Sequence, residues 1–355
     1  MLVGTWMATL VLAGCDGGRA SSSASHQEPI RFGIISTESS AGLKTGFDPF
    51  LADMAAAMGQ PVEGYFASDY AGIIEGMRFG KVDLAWMGNK SAVEAVDRAG
   101  AEVFAQTMAA DGAPGYWSVI IVNADGPLRS IDDILARKSE LTFGNGDPNS
   151  TSGYLLPNYY LWSKQGIDPA RDFKRVLNTN HESNAMAVAG GQIDFATNNT
   201  ETLGLLQQKK PEIAAKLRVI WKSPLIPLDP LVWRKDLPEP TKEKLRKFLF
   251  SYGTGEGEQA QRQRQVLAKM SSGWAPFRPS SNDQLLGTRE IALATRLLKL
   301  QHEANDPSAE KAGEIAQVKQ ELERIRTRRE ALETAPSPQA SETVATPAPA
   351  RSATP

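Results

Sequence analysis

Hydrophobic and polar positions follow two rhythms along this chain, and each rhythm predicts an element. Residues 30–35 alternate and then run apolar, which predicts a buried first strand. Residues 50–58 carry apolar side chains at helical spacing until Gly59 stops them. A second strand is predicted over 62–66, and Ser68 with Asp69 caps a helix from Tyr70 to about Phe79. Residues 82–86 supply the strand that follows. Strand, helix, strand, helix, strand is the order of an α/β lobe.

The same unit recurs downstream. Gly80-Lys81-Val82-Asp83-Leu84-Ala85 matches Gly191-Gln192-Ile193-Asp194-Phe195-Ala196, and each follows a helical stretch of similar length. Sliding one onto the other places Tyr70 on His181, both at helix starts. Two readings are open: two related lobes, or a generic Gly-x-hydrophobic-Asp turn that α/β folds use often.

Between the copies, Pro114-Gly115-Tyr116-Trp117 leads into an apolar, β-branched run at 118–122 that carries the chain to a second lobe. After a strand at 219–221, residues 223–230 form an extended return, because each proline restricts the residue before it. The expected architecture is an α/β protein of two lobes joined by two crossover segments, with a ligand cleft between them. Lobe 1 takes 30–115 and 230–300, lobe 2 takes 116–229, and 241–252 with 282–300 read as closing helices of lobe 1. A charged helix is expected over 306–334, with Ile315, Val318, Leu322, Ile325 and Leu332 on a coiled-coil-like seam. It lies either on the protein's own surface or in a homodimer contact. Residues 335–355 are rich in Pro, Ala, Ser and Thr and read as a disordered tail.

At 355 residues, 41% apolar and 23% charged, the composition is that of a globular chain with tails. A formal charge of -2 and no basic block in the folded part leave no electrostatic footprint for nucleic acid. The single cysteine, Cys15, rules out an intramolecular disulfide and a cysteine metal cluster. Its setting is more informative. Residues 5–13 are an apolar run too short to cross a bilayer comfortably, and Leu12-Ala13-Gly14-Cys15 resembles a bacterial lipobox. A signal peptide over 1–15, a lipidated Cys15 and a spacer over 16–29 are expected. Residues 1–4 lack the Lys or Arg of such a leader, so the true start is expected upstream.

The richest local chemistry lies at 143–153, Phe-Gly-Asn-Gly-Asp-Pro-Asn-Ser-Thr-Ser-Gly. Strand 141–143, a polar loop at 144–149 and a helix from Thr151 would aim unpaired helix-start amides and the hydroxyls of Ser150, Thr151 and Ser152 at one point. With no Lys or Arg in the stretch, an oxyanion would be held by neutral dipoles and could leave again. The same residues also suit an ordinary capped helix with no ligand. The dinucleotide fingerprint fails at Asn149, and no Gly-Lys-Ser/Thr follows to make a P-loop.

With these stretches in view, the chain resembles the periplasmic phosphonate-binding proteins of bacterial ABC transporters over roughly 30–300. The resemblance rests on Phe32-Gly33-Ile34-Ile35-Ser36-Thr37-Glu38, Asp69-Tyr70-Ala71-Gly72-Ile73-Ile74, Pro114-Gly115-Tyr116-Trp117-Ser118, the loop above, Asn198-Asn199-Thr200-Glu201 and Ser223-Pro224-Leu225-Ile226-Pro227. It implies a type II binding-protein fold, no cofactor, no metal, and delivery of ligand to a permease with a cytoplasmic ATPase. It also implies a periplasmic location, which a lipid on Cys15 would tether to the inner membrane. Carried over position by position, Ser150, Thr151 and Ser152 would hold phosphonate oxygens, with Tyr70, Tyr116 and His181 as further donors. Glu201 and Asp229 would face the ammonium of an aminoalkylphosphonate such as 2-aminoethylphosphonate.

Two rivals are defined by the same residues. The fold could instead take phosphite, phosphate or a small organophosphate, but buried carboxylates at 201 and 229 would repel a bare anion. A hydrolase using Ser150, His181 and an Asp lacks the Gly-x-Ser-x-Gly nucleophile elbow. A metallophosphatase would have to work with three histidines, His26, His181 and His302, which fall in the spacer, the cleft and the region of the tail.

Overall fold

The computed structural model describes residues 28–303 and 309–334. The expected leader with Cys15, the spacer up to 27, the helix start at 306–308 and the tail from 335 lie outside the described residues. The chain opens with β1 (Ile30–Ile34), β2 (Val62–Phe66), β3 (Leu84–Trp86) and β4 (Ala101–Ala109). It crosses through β5 (Gly115–Tyr116) into β6 (Ser118–Asn123), β7 (Thr142–Gly146), β8 (Arg175–Thr179), β9 (Phe195–Asn199) and β10 (Leu217–Lys222). It returns through β11 (Ile226–Pro227) to β12 (Pro230–Arg234) and β13 (Trp274–Pro279). Lobe 1 is built on a six-stranded sheet ordered β13-β4-β12-β3-β1-β2, and lobe 2 on a five-stranded sheet ordered β10-β6-β9-β7-β8. The crossovers β5 and β11 pair antiparallel, Tyr116 opposite Ile226, so a two-stranded ribbon joins the lobes.

Local chemistry accounts for most of these elements and corrects several expectations. The first helix runs over Ser40–Met58, not from residue 50, with Ser39 as cap and Pro49 inside it. Gly42, Gly46 and Pro49 blur its early pattern, while Leu43, Phe47, Phe50, Leu51, Met54 and Met58 form the buried stripe that holds it. Strand β3 begins at Leu84 rather than residue 82. Residues 144–146, expected in the loop, belong to β7, where they pair in parallel with Leu177, Asn178 and Thr179. Gly144 is needed there, since a Cβ would come within 2.6 Å of both Ile193 and Asn184 side chains.

The matched units superimpose in their bonds as well as their letters. Arg31 N donates to Asp83 Oδ2 at 2.9 Å, and Thr142 N donates to Asp194 Oδ2 at 2.7 Å. The backbone amides of Asp83 and Asp194 return bonds to the carbonyls of Arg31 and Thr142. Gly80 and Gly191 both have φ of 68°. The helices Tyr70–Arg78 and His181–Ala189 are capped by Asp69 and Asn180.

Lobe 1 packs around Phe32, Phe47, Phe50, Trp86 and Trp274, and lobe 2 around Phe143, Trp162, Phe173 and Phe195. The helix Leu286–Glu303 does more than close lobe 1. Arg289 makes a two-pronged pair with Asp97 of lobe 1, while its far end brings His302 beside Gly166 of lobe 2. The helix Ala309–Thr334 packs along it, with Val318, Leu322 and Ile325 buried within the single chain, Ile315 half-buried and Leu332 exposed. Arg326 and Arg329 hold Glu290, and Arg328 holds Asp283. The middle of the apolar seam, Val318 to Ile325, is therefore covered within the chain.

Candidate functional site: the cleft between the lobes

All eight side chains singled out in the sequence, Tyr70, Tyr116, Ser150, Thr151, Ser152, His181, Glu201 and Asp229, line one cavity between the lobes. Strand ends place them there. The helix starts at Tyr70, Thr151, His181 and Thr200 follow β2, β7, β8 and β9, so their first amides face a common space. The cavity measures about 50 Å³, room for a few water molecules at ~10–15 Å³ each.

Part of the lining is a neutral set of hydroxyls and helix-start amides. The helix at Thr151–Leu155 starts as a wide π turn, in which Leu155 N donates to Ser150 O at 3.1 Å and Leu156 N to Thr151 O. Amides 151–154 thus have no acceptor within the helix, and of these Gly153 N is taken by Ser150 Oγ at 2.9 Å. Ser150, Thr151 and Ser152 are buried. Thr151 Oγ1 accepts from Lys90 N of lobe 1 at 2.8 Å, which leaves its own hydroxyl proton for a ligand. His181 Nε2 lies 3.5 Å from Ser150 Oγ and 3.4 Å from Ser152 Oγ, while its buried Nδ1 has no partner among the described residues. Burial lowers the His181 pKa to about 4, so the ring is neutral at pH 7.

Another part of the lining is acidic. Asp229 Oδ1 accepts from Tyr116 OH at 3.0 Å and Oδ2 from Trp86 Nε1 at 3.0 Å. Tyr116 therefore gives its one proton to Asp229 and not to the oxyanion end, where the resemblance had placed it. Burial pushes the Glu201 and Asp229 carboxyls above the ordinary carboxylate range, and for Glu201 the neighbouring Asp229 charge adds to the rise. Raised in this way, the two carboxyls favour the protonated form in the empty cleft.

Sequence reasoning missed several contributors. Trp86 read as the end of a core strand, and nothing local marks its indole as a partner of Asp229, 143 residues away. Asn199, which caps the helix at Thr200 and donates to Ser152 Oγ at 3.3 Å, stood in the sequence only within the Asn198-Asn199-Thr200-Glu201 stretch of the resemblance, with no role of its own. The lobes also meet directly: Tyr70 N donates to Asp147 Oδ2 at 3.0 Å and Ser39 N to Glu182 Oε2 at 2.9 Å. Among the described residues no cluster of His, Cys, Asp and Glu could hold a metal ion, and no helix is long and apolar enough to cross a membrane.

Two mixed α/β lobes, a two-stranded crossover ribbon and helix starts facing a polar cleft define a periplasmic binding protein of type II. The family model of the ABC transporter, phosphonate, periplasmic substrate-binding protein matches residues 32–285. The chain is 56% identical over 267 residues to the phosphonates-binding periplasmic protein of Escherichia coli (strain K12), covering 75% of this chain and 77% of that relative. It is 31% identical over 228 residues to a phosphate-import protein of Mycolicibacterium smegmatis, covering 60% of this chain and 68% of that one. Among solved structures, a binding protein component of an ABC phosphonate transporter from Pseudomonas aeruginosa has a TM-score of 0.82 at 52% identity, covering 86% of this chain and 100% of that one. The chain belongs to the phosphonate-binding family of periplasmic substrate-binding proteins of ABC transporters. This is a family of transport components, not of enzymes.

Proposed function

We propose that the cleft captures a zwitterionic aminoalkylphosphonate, 2-aminoethylphosphonate above all, and that the closed form delivers it to the permease. One observation carries this reading: buried hydroxyls and helix-start amides share one small cavity with the carboxyls of Glu201 and Asp229. In the proposed complex Ser150, Thr151 and Ser152 hold the phosphonate oxygens, with Tyr70 and His181 as further donors. Glu201 and Asp229 take the ammonium, and Tyr116 orients Asp229. A bare anion gains nothing from the acidic end and leaves its carboxylates unpaired.

Parallel calorimetric titrations with 2-aminoethylphosphonate, methylphosphonate and phosphate test the assignment. Tight binding of the first and weak binding of the others is expected. Equal or better binding of phosphate, phosphite or methylphosphonate would keep the carrier and overturn the ligand. Tethering through a lipidated Cys15 is a separate proposal, resting on the lipobox alone. It is checked by labelling with a fatty acid in cells, and loss of label in Cys15→Ala is the expected result. The burial of the middle of the 309–334 seam within the chain supports a monomer over the homodimer reading. Sedimentation of the chain truncated at Asp306 should give no change in association state.

A further inference from the structure

Among the described residues Ser271 is the only one besides glycine with a positive φ, at 50°. Side chains of L residues enter that left-handed region against steric resistance, and such outliers persist where the surroundings hold them. Here the surroundings do. Met270 and Trp274 are buried on either side. Gly273 N donates to Met270 O at 2.9 Å, and Ala110 N donates to Gly273 O at 3.1 Å. Between these anchors Ser271 lines the cleft from lobe 1.

Trp274, which closes the turn, packs edge-on against Trp86 with ring centroids 5.3 Å apart, and the Trp86 indole donates to Asp229, so the turn borders the carboxylates of the cleft. The neighbouring Ser272 favours the ionised form of Glu201. The Ser271 hydroxyl has no partner among the described residues. A glycine would adopt this backbone freely, so the hydroxymethyl group is kept in the cavity wall at a conformational cost.

Resting on the aminoalkylphosphonate reading, we infer that Ser271 is a specificity-determining residue. Its hydroxyl accepts a hydrogen from the ammonium held by Glu201 and Asp229, and its position in the wall limits the alkyl chain length that fits. Lobe 1 thereby contributes a third acceptor to a group otherwise gripped by carboxylates.

The test is Ser271→Gly in the full chain, which keeps the backbone conformation and removes the hydroxyl. The probes are 2-aminoethylphosphonate, 3-aminopropylphosphonate and ethylphosphonate, titrated calorimetrically, with a thermal melt of each protein. The expected result is an unchanged or higher Tm and a roughly tenfold loss for 2-aminoethylphosphonate. Ethylphosphonate should hold within about twofold, and the longer aminophosphonate should gain relative to the shorter. If the wild-type preference for 2-aminoethylphosphonate over ethylphosphonate survives intact in the variant, or all three ligands lose equally, the role of Ser271 is overturned alone. A wild-type chain without that preference overturns the ligand reading and this role together.

Discussion

Tyr116 and Asp229 are joined at 3.0 Å across 113 residues of sequence, from the first crossover to the mouth of β12. A hydrogen bond to an ionised group contributes about 1.5–3 kcal/mol. Tyr116→Phe should therefore weaken 2-aminoethylphosphonate by roughly 10- to 100-fold while leaving ethylphosphonate nearly unchanged. Parallel titrations read the difference, and an equal loss on both ligands would show that Tyr116 serves the oxyanion end instead.

His181 makes the ligand-free protein sensitive to acid. Its folded pKa of about 4 lies below the ordinary 6.5, so between those values the unfolded chain binds a proton that the folded chain refuses. The stability tied to neutral His181 is present above about 6.5 and lost as pH falls through 4, by up to about 3 kcal/mol. His181→Gln should flatten the fall of Tm between about pH 7 and 4.5 relative to wild type. Parallel Tm curves for the two proteins would count against it.

Glu201 works in the opposite sense. Its carboxyl is raised in the fold to about 8, so its contribution is present below the ordinary carboxylate range, about 4, and lost as pH rises through about 8. Glu201→Gln should raise the Tm of the empty protein by about 2–4 °C near pH 8, with no gain near pH 4. The same substitution should cost 2-aminoethylphosphonate at least about tenfold. A variant that binds as tightly as wild type would remove Glu201 from the ammonium site.

Glu182 predicts a different pattern. It accepts from Ser39 N across the lobes at 2.9 Å and from Lys210 Nζ at 2.7 Å, on the rim of the cleft rather than at either end of the proposed ligand. Glu182→Gln should weaken every ligand by the same modest factor, roughly threefold to tenfold, mostly through faster release. Stopped-flow dissociation of two phosphonates distinguishes this from a ligand contact, which would affect them unequally.

Much of the frame could be read locally, because its causes are local. Asp69 announces the Tyr70 helix by capping it, and the Gly-x-hydrophobic-Asp repeat marks the same turn in both lobes. The cleft side chains were assembled by resemblance, and the cavity gathers the same eight. What escaped depends on distant partners. Pro49 is tolerated in its helix because Phe47 and Phe50 pack beneath the sheet, and residues 144–146 become strand only when β8 lies beside them. Trp86 becomes part of the site only when β12 brings Asp229 to it. The helix at 258–267 carries few apolar residues and β13 contains Pro276 and Pro279, so these elements and the Ser271 turn between them gave no signal of their own.

The pairing of Tyr70 with His181, first visible as matched letters, has an electrostatic consequence for closure. Each begins a helix of nine residues in a different lobe, and both line the same cavity. A helix start carries roughly half a positive charge, so bringing the lobes together over an empty cleft crowds two like partial charges. Asp147, which accepts from Tyr70 N, offsets part of that repulsion from within the protein. A bound anion would offset the remainder, and the cargo would then act as the counterion that lets the two halves meet.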